Sequence, residues 1–286
     1  MGIMAPYSEV KCKNCDNNGF IIKDGVATKC DCRKKYEYEL SASNILLNSG
    51  LLNENSTYED FKKLIDFDFS DYRGKDENEN IKKIKKFVND FDKVKYKEVP
   101  HNTVDDEGNI IRTEYSKVSM GSPFKSLHCY VHGQQGTQKS YVLRGMLAKM
   151  ACKGKSVFYI FTKDLIDLIH DSDRDENLQK KLDYIMNVDV LVIDEFEEQR
   201  CCLWQSGYKE KLLIVWLKDR LEVMRKSTWL ISNDSIEEQK ESKFGELFGD
   251  LIDRETKYGR FEFTDRYFDN VSKEEIQAVF DSIWDD

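Results

Sequence analysis

The segment His132-Gly133-Gln134-Gln135-Gly136-Thr137-Gln138-Lys139-Ser140 lies between an apolar run, residues 127–132, and a helix-patterned stretch, 139–153. A strand that ends in a glycine-containing loop opening a helix aims several backbone N–H groups at one point. Such a point attracts an anion, and a lysine there adds a positive charge. The unit needs a parallel α/β sheet to hold it, and the following sequence supplies one. Residues 156–161, 189–193 and 228–232 read as short apolar strands. They alternate with helical patterns over 162–171, 177–186 and 208–226. Short apolar strands alternating with helices predict a parallel sheet covered on both faces.

The loop approximates the nucleotide pattern G-x-x-x-x-G-K-[ST]. Its glycines are Gly133 and Gly136, and Gln138 stands before the lysine where glycine is usual. Glycine there lets the backbone turn without steric cost, so Gln138 fits if its φ is ordinary. The expected nucleotide ligands are Gly133, Gly136, Thr137, Gln138, Lys139 and Ser140, with the Ser140 hydroxyl placed for Mg²⁺. The run Val190-Leu191-Val192-Ile193-Asp194-Glu195 is an apolar strand ending in two carboxylates. Ligands of parallel sheets gather at the carboxyl ends of strands. Asp194 is therefore expected to hold Mg²⁺, directly or through water, and Glu195 to polarise an attacking water. Asn233, ending the strand at 228–232, is placed to read a γ-phosphate. Arg254 could reach a neighbouring subunit's nucleotide, where transition-state charge needs a cation; taken alone, such an arginine more often forms a surface ion pair.

Four of the eight cysteines, Cys12, Cys15, Cys30 and Cys32, fall within 21 residues. Four thiolates at this spacing can close a tetrahedral Zn²⁺ site with no open position, which makes it structural. A module this short buries too little core to fold alone, so metal binding would supply its folding free energy. Lys11, Lys13, Lys29, Arg33, Lys34 and Lys35 surround it, to contact phosphates or to offset the thiolate charge. Cys129 and Cys152 fit apolar faces as small core residues. The chain divides into a zinc-binding module, 1–35; a helical linker, 36–65; a charged insert with a possible hairpin, 66–125; and the nucleotide-binding core, 126–286. Within the linker, Ser56 or Thr57 is placed to cap a short helix.

The phosphate loop, the acidic strand end, Asn233 and Asp253-Arg254, in this order behind the cysteine module and Thr57-Tyr58-Glu59-Asp60-Phe61, resemble the DnaC/DnaI-type helicase loaders. These are AAA+ ATPases, and the group includes phage-encoded relatives. The similarity spans roughly 10–65 and 126–270, including 217–233 with Arg220. It implies an AAA+ P-loop parallel-sheet core with a small zinc-binding module. It also implies ATP, Mg²⁺ and Zn²⁺ as cofactors and a weak, partner-stimulated ATPase. The partners implied are a replicative hexameric helicase, single-stranded DNA contacted locally, and further copies of the chain. Arg254 matches the arginine-finger position. Arg260 and Arg266 are the arginines open to a sensor-2 role, and the 66–125 insert has no counterpart in the resemblance. Transposition-helper and other DNA-remodelling ATPases share the core, and a non-hydrolysing nucleotide-binding adaptor is a third reading.

Charge narrows these readings. The chain carries 44 basic and 53 acidic residues, a net charge of −9, which argues against a uniformly basic nucleic-acid coat. Residues 1–35 hold seven basic against four acidic residues, whereas 126–286 hold 23 against 31. Any DNA contact is thus expected to be narrow and shared among subunits. No apolar run approaches a membrane span, and the first residues lack a secretory block. A cytoplasmic location, the bacterial cytosol, is expected.

Overall fold

The structure, a computed structural model, describes residues 11–15, 18–23, 25–72, 79–91, 95–104, 110–120, 128–197, 208–241 and 243–264. A two-stranded antiparallel hairpin, β1 (Phe20–Lys23) and β2 (Val26–Lys29), leads into α1 (Asp31–Asn48). Then follow α2 (Tyr58–Ile65) and α3 (Glu79–Asp90). Thr57 caps α2 through a capping box: its hydroxyl accepts from the Asp60 amide, and the Asp60 carboxylate accepts from the Thr57 amide. Strands β3 (Lys95–Val104) and β4 (Ile110–Met120) pair as an antiparallel ribbon, with Lys95 opposite Met120. The turn expected at 105–108 lies outside the described residues.

The core alternates β5 (His128–His132), α4 (Lys139–Cys152), β6 (Val157–Phe161), α5 (Thr162–Ser172), α6 (Glu176–Asn187) and β7 (Val190–Asp194). It continues with α7 (Tyr208–Lys218), β8 (Ser227–Ser232), α8 (Ile236–Glu241), α9 (Lys243–Thr256) and β9 (Arg260–Glu262). The five strands form one parallel sheet in the order β6-β7-β8-β5-β9. All five residues of β7 are buried, as a strand covered on both faces requires. From β5 the chain crosses to the far edge at β6, works back through β7 and β8, and then places β9 beyond β5. The strand order therefore reverses beside β5, and a crevice opens at the carboxyl ends there.

One face of the sheet packs on α4, which is buried almost all round because α1, α2 and α3 cover its other side. Gly145 is required at this crossing, since a Cβ would stand 2.4 Å from the Phe67 ring. The apolar cluster here runs across residue 126, the expected start of the core. Ile84, Phe87 and Val88 of α3 join Val131, Val192 and Trp229 in one interior. The charged sequence of α3 hides an amphipathic helix whose apolar stripe completes the sheet's cover. The other face carries α5, α6, α7, α8 and α9 residues in a second cluster around Leu191, Ile193 and Leu230. There Arg220, fully buried in a π-helical turn (Asp219–Val223), donates to the carbonyls of Ile185, Met186, Val188 and Ser227 and to the Thr228 hydroxyl. It ties the end of α6 to the start of β8. Cys129 is buried as expected, whereas Cys152, expected in the core, is exposed at the C-terminal end of α4.

Candidate functional site

A cleft of about 480 Å³ opens at the carboxyl ends of β5, β7 and β8. Its lining includes Gly136, Thr137, Gln138, Lys139, Ser140, Asp194, Glu195 and Asn233. Residues spread over nearly 100 positions of sequence thus converge on one crevice. Gly133 lies at its back, where its carbonyl accepts from the Lys139 ammonium. The site needs glycine there for close approach: a Cβ would stand 2.0 Å from the Phe263 carbonyl oxygen. Gly136, with φ +86°, bends the loop in open space.

Gln138 does not take an ordinary φ. It sits in the left-handed region, φ 63° and ψ 17°, as the residue before α4. The loop keeps the backbone shape that glycine normally provides, at a cost of roughly 1–2 kcal/mol for an L residue. Glu195 is left-handed as well, φ 54°. Two of the three described non-glycine residues with positive φ therefore flank this cleft, the distribution expected where backbone strain serves a site.

Lys139 is buried and donates to the Gly133 and Gln134 carbonyls, to the Thr137 hydroxyl at 3.4 Å and to Asn233 Oδ1 at 3.2 Å. Burial lowers its ammonium to about 8 despite the opposing charges of Asp194 and Glu197. Asn233 uses its other end to donate to Glu197 Oε1 at 2.7 Å. Asp194 Oδ1 accepts from the Glu195 amide at 2.7 Å, and Oδ2 accepts from the Tyr159 hydroxyl. The Thr162 hydroxyl holds the Asp194 carbonyl at 2.8 Å. Ser140 and Asp194 offer one hydroxyl and one carboxylate in the same cleft, a hard oxygen donor set that suits Mg²⁺.

Sequence reading missed Glu197, Tyr159 and Arg144, all of which line the cleft. Glu197 lies past the apolar run that drew notice to Asp194, and only the chain's turn at Glu195 brings it back toward Asn233. Tyr159 read as an ordinary strand residue; the parallel pairing of β6 with β7 aims its hydroxyl at Asp194. Arg254 does not line the cleft of its own chain. It is exposed on α9 and paired with Glu222 and Glu255. Arg260 pairs with Asp253, and Arg266 lies outside the described residues.

The four sulfurs of Cys12, Cys15, Cys30 and Cys32 all lie within 4.8 Å of one another. Cys12 and Cys30 are 3.9 Å apart, and Cys15 and Cys32 are 3.5 Å apart. A tetrahedral zinc thiolate with bonds of about 2.3 Å separates its sulfurs by roughly 3.8 Å, so the cluster has the shape this ion takes. Burial raises the Cys15 thiol, but hydrogen bonds from the Gly19 amide and the neighbouring cysteines outweigh it and hold it at about 7. Two backbone hydrogen bonds shape the knuckle, Asn18 to the Cys15 carbonyl and Cys30 to the Gly19 carbonyl. No described helix is long and apolar enough to cross a membrane.

Residues 128–256 match the family model described as IstB-like ATP binding protein. No curated protein matches the chain. Among solved structures, the DnaC helicase loader superposes at 20% identity and a TM-score of 0.48, covering 72% of this chain and 99% of that one. A crystal structure of DnaI gives 17% and 0.46, covering 71% and 90%. The replication initiator DnaA bound to AMPPCP and single-stranded DNA gives 12% and 0.46, covering 69% and 50%. Residues 128–256 thus resemble the IstB-like ATP binding proteins, over the parallel sheet and phosphate loop described above.

Proposed function

We propose that this chain is an ATP-dependent loader of a replicative DNA helicase, acting through the helicase and single-stranded DNA during replication initiation in the bacterial cytosol. The observation that carries the reading is the convergence of the loop at 133–140, Asp194, Glu195 and Asn233 on one cleft at the strand-order reversal. Loop amides at 136–140 and Lys139 bind the phosphates of ATP, while Ser140 and Asp194 hold Mg²⁺. When bound, that ion neutralises charge on the phosphoryl oxygens. Glu195 orients the attacking water and accepts its proton. Asn233 reports the γ-phosphate through its contact with Lys139. Arg254, exposed on α9, is offered to a neighbouring copy's nucleotide, so turnover depends on assembly. Loss of the γ-phosphate then changes subunit contacts and releases the partner. The cysteine module at 1–35 holds Zn²⁺ and serves as the docking surface for the helicase. The linker at 36–65 and the 66–125 segment join it to the ATPase core.

Capture from the native host with the tagged chain tests the partner: a replicative helicase is expected, and a transposase in its place supports the transposition-helper reading. A Glu195→Gln variant tests turnover, since it should trap ATP and stabilise oligomers. The strain of an L residue where glycine is usual raises one alternative, a non-hydrolysing adaptor. Wild-type protein that never turns over ATP, even with DNA and helicase present, would establish it.

A further inference from the structure

β6 is an edge strand of the core sheet, and the turn after α1 covers its free side. The Tyr159 amide donates to the Ser49 carbonyl at 2.9 Å. Gly50, at φ +69°, presses so closely that a Cβ would stand 2.4 Å from the Tyr159 carbonyl oxygen. One residue on, the Leu51 carbonyl accepts from Arg144 Nη2 at 2.7 Å, and that guanidinium lies 5.4 Å over the Tyr159 ring. The backbone of Tyr159 is thus fixed by the turn at 49–51, and its ring is covered by an arginine that the same turn holds. At the far end of the ring, the hydroxyl donates to Asp194 Oδ2. A phenylalanine would fill the same space; only the hydroxyl reaches the carboxylate.

We infer that Tyr159 is a positioning residue for the divalent-cation carboxylate, and that it couples the turn after α1 to the cation affinity of the nucleotide site. This rests on the nucleotide-site reading above. Asp194 has two oxygens, and Tyr159 holds one while the Glu195 amide holds the other. The carboxylate is therefore oriented before any cation arrives, as partners behind a ligand do at metal sites. The route back to the N-terminus is short and stiff. α1 begins beside Cys30, contains Cys32, and ends at the turn that grips Tyr159. An 18-residue helix spans about 27 Å, so a shift at the cysteine cluster reaches Tyr159 through a single rigid element.

The test uses the full-length protein, a fluorescent ATP analogue and a Mg²⁺ titration. Tyr159→Phe removes only the hydroxyl. Its half-saturating Mg²⁺ for analogue binding is expected to rise about tenfold, the low end of the effect of losing such a partner. Analogue affinity in EDTA should change less than threefold. Gly50→Ala, remote from the nucleotide, forces the turn away from β6 and should raise the half-saturation in the same direction. If Tyr159→Phe fails to fold, Gly50→Ala decides the question alone. An unchanged half-saturation with intact analogue binding overturns the inference and leaves the nucleotide site standing. Wild-type protein that binds no analogue, with or without Mg²⁺, overturns the site reading and this inference with it.

Discussion

Asn233 accepts from the Lys139 ammonium at 3.2 Å, joining the end of β8 to the phosphate loop. The same amide donates to Glu197, so the loop, the end of β8 and the acidic turn share one polar network. Such networks are worth more than their pairwise parts, since removing one member strands the others.

Lys139 gives the first prediction. Its ammonium falls to about 8 in the free protein because it is buried, and bound phosphates favour the charged form. ATP binding above that value must therefore take up a proton. Affinity should be flat below pH 7.5 and fall with pH above about 8, approaching tenfold per unit. Isothermal titration in buffers of different ionisation heat measures the uptake directly. Lys139→Ala should abolish binding and flatten the profile.

Gln138 gives the second. Replacing it by glycine relieves a left-handed L residue, worth roughly 1–2 kcal/mol. It also loosens the unfolded chain, which takes back about 0.5–1 kcal/mol. Gln138→Gly should raise the thermal midpoint slightly, whereas Gln138→Val, β-branched at positive φ, should lower it. A loss of stability in the glycine variant would contradict the assigned backbone.

Arg220 is fully buried with five acceptors around its guanidinium. Truncation to alanine leaves the carbonyls ending α6 without donors. A cost of about 3–5 kcal/mol is expected, as for breaking a buried charged network. Lysine should rescue little, because one ammonium cannot span the fork. Urea unfolding of the three proteins checks both statements.

The cysteine cluster makes a prediction about metal. Purified full-length protein should hold about one zinc per chain, released by chelator with loss of protease resistance in the first 35 residues. Cys15→Ser should lose the zinc while leaving the core folded and its nucleotide binding in EDTA in place. A metal-free but protease-resistant N-terminus would sink the zinc assignment.

Legibility in the sequence followed physical range. Strands β5 to β8 and helix α4 announced themselves because buried parallel strands are continuous apolar runs and the loop between them is unusual. Asp194, Glu195 and Asn233 followed, since each stands at the end of such a strand. β9 was illegible: three residues with only Phe261 buried cannot be told from a loop by periodicity. Glu197 and Tyr159 were hidden for a different reason. Each matters through a partner at least 35 residues away, a relation that spacing along the chain does not carry. Gln138 was visible as a departure, but its left-handed backbone depends on the loop's closure in space.

The backing of Gly133 by Phe263 also has a consequence for the order of synthesis. The Phe263 amide donates to the His132 carbonyl at 2.8 Å, and its own carbonyl fills the space a side chain at 133 would need. A ribosome adding about 5–20 residues per second takes on the order of ten seconds to travel from the loop to that backing strand. During that interval β5 has an open edge beside an unbraced phosphate loop. Nucleotide competence therefore waits until residue 263 has been made, and a shorter nascent chain should bind ATP poorly even with every ligand residue already present.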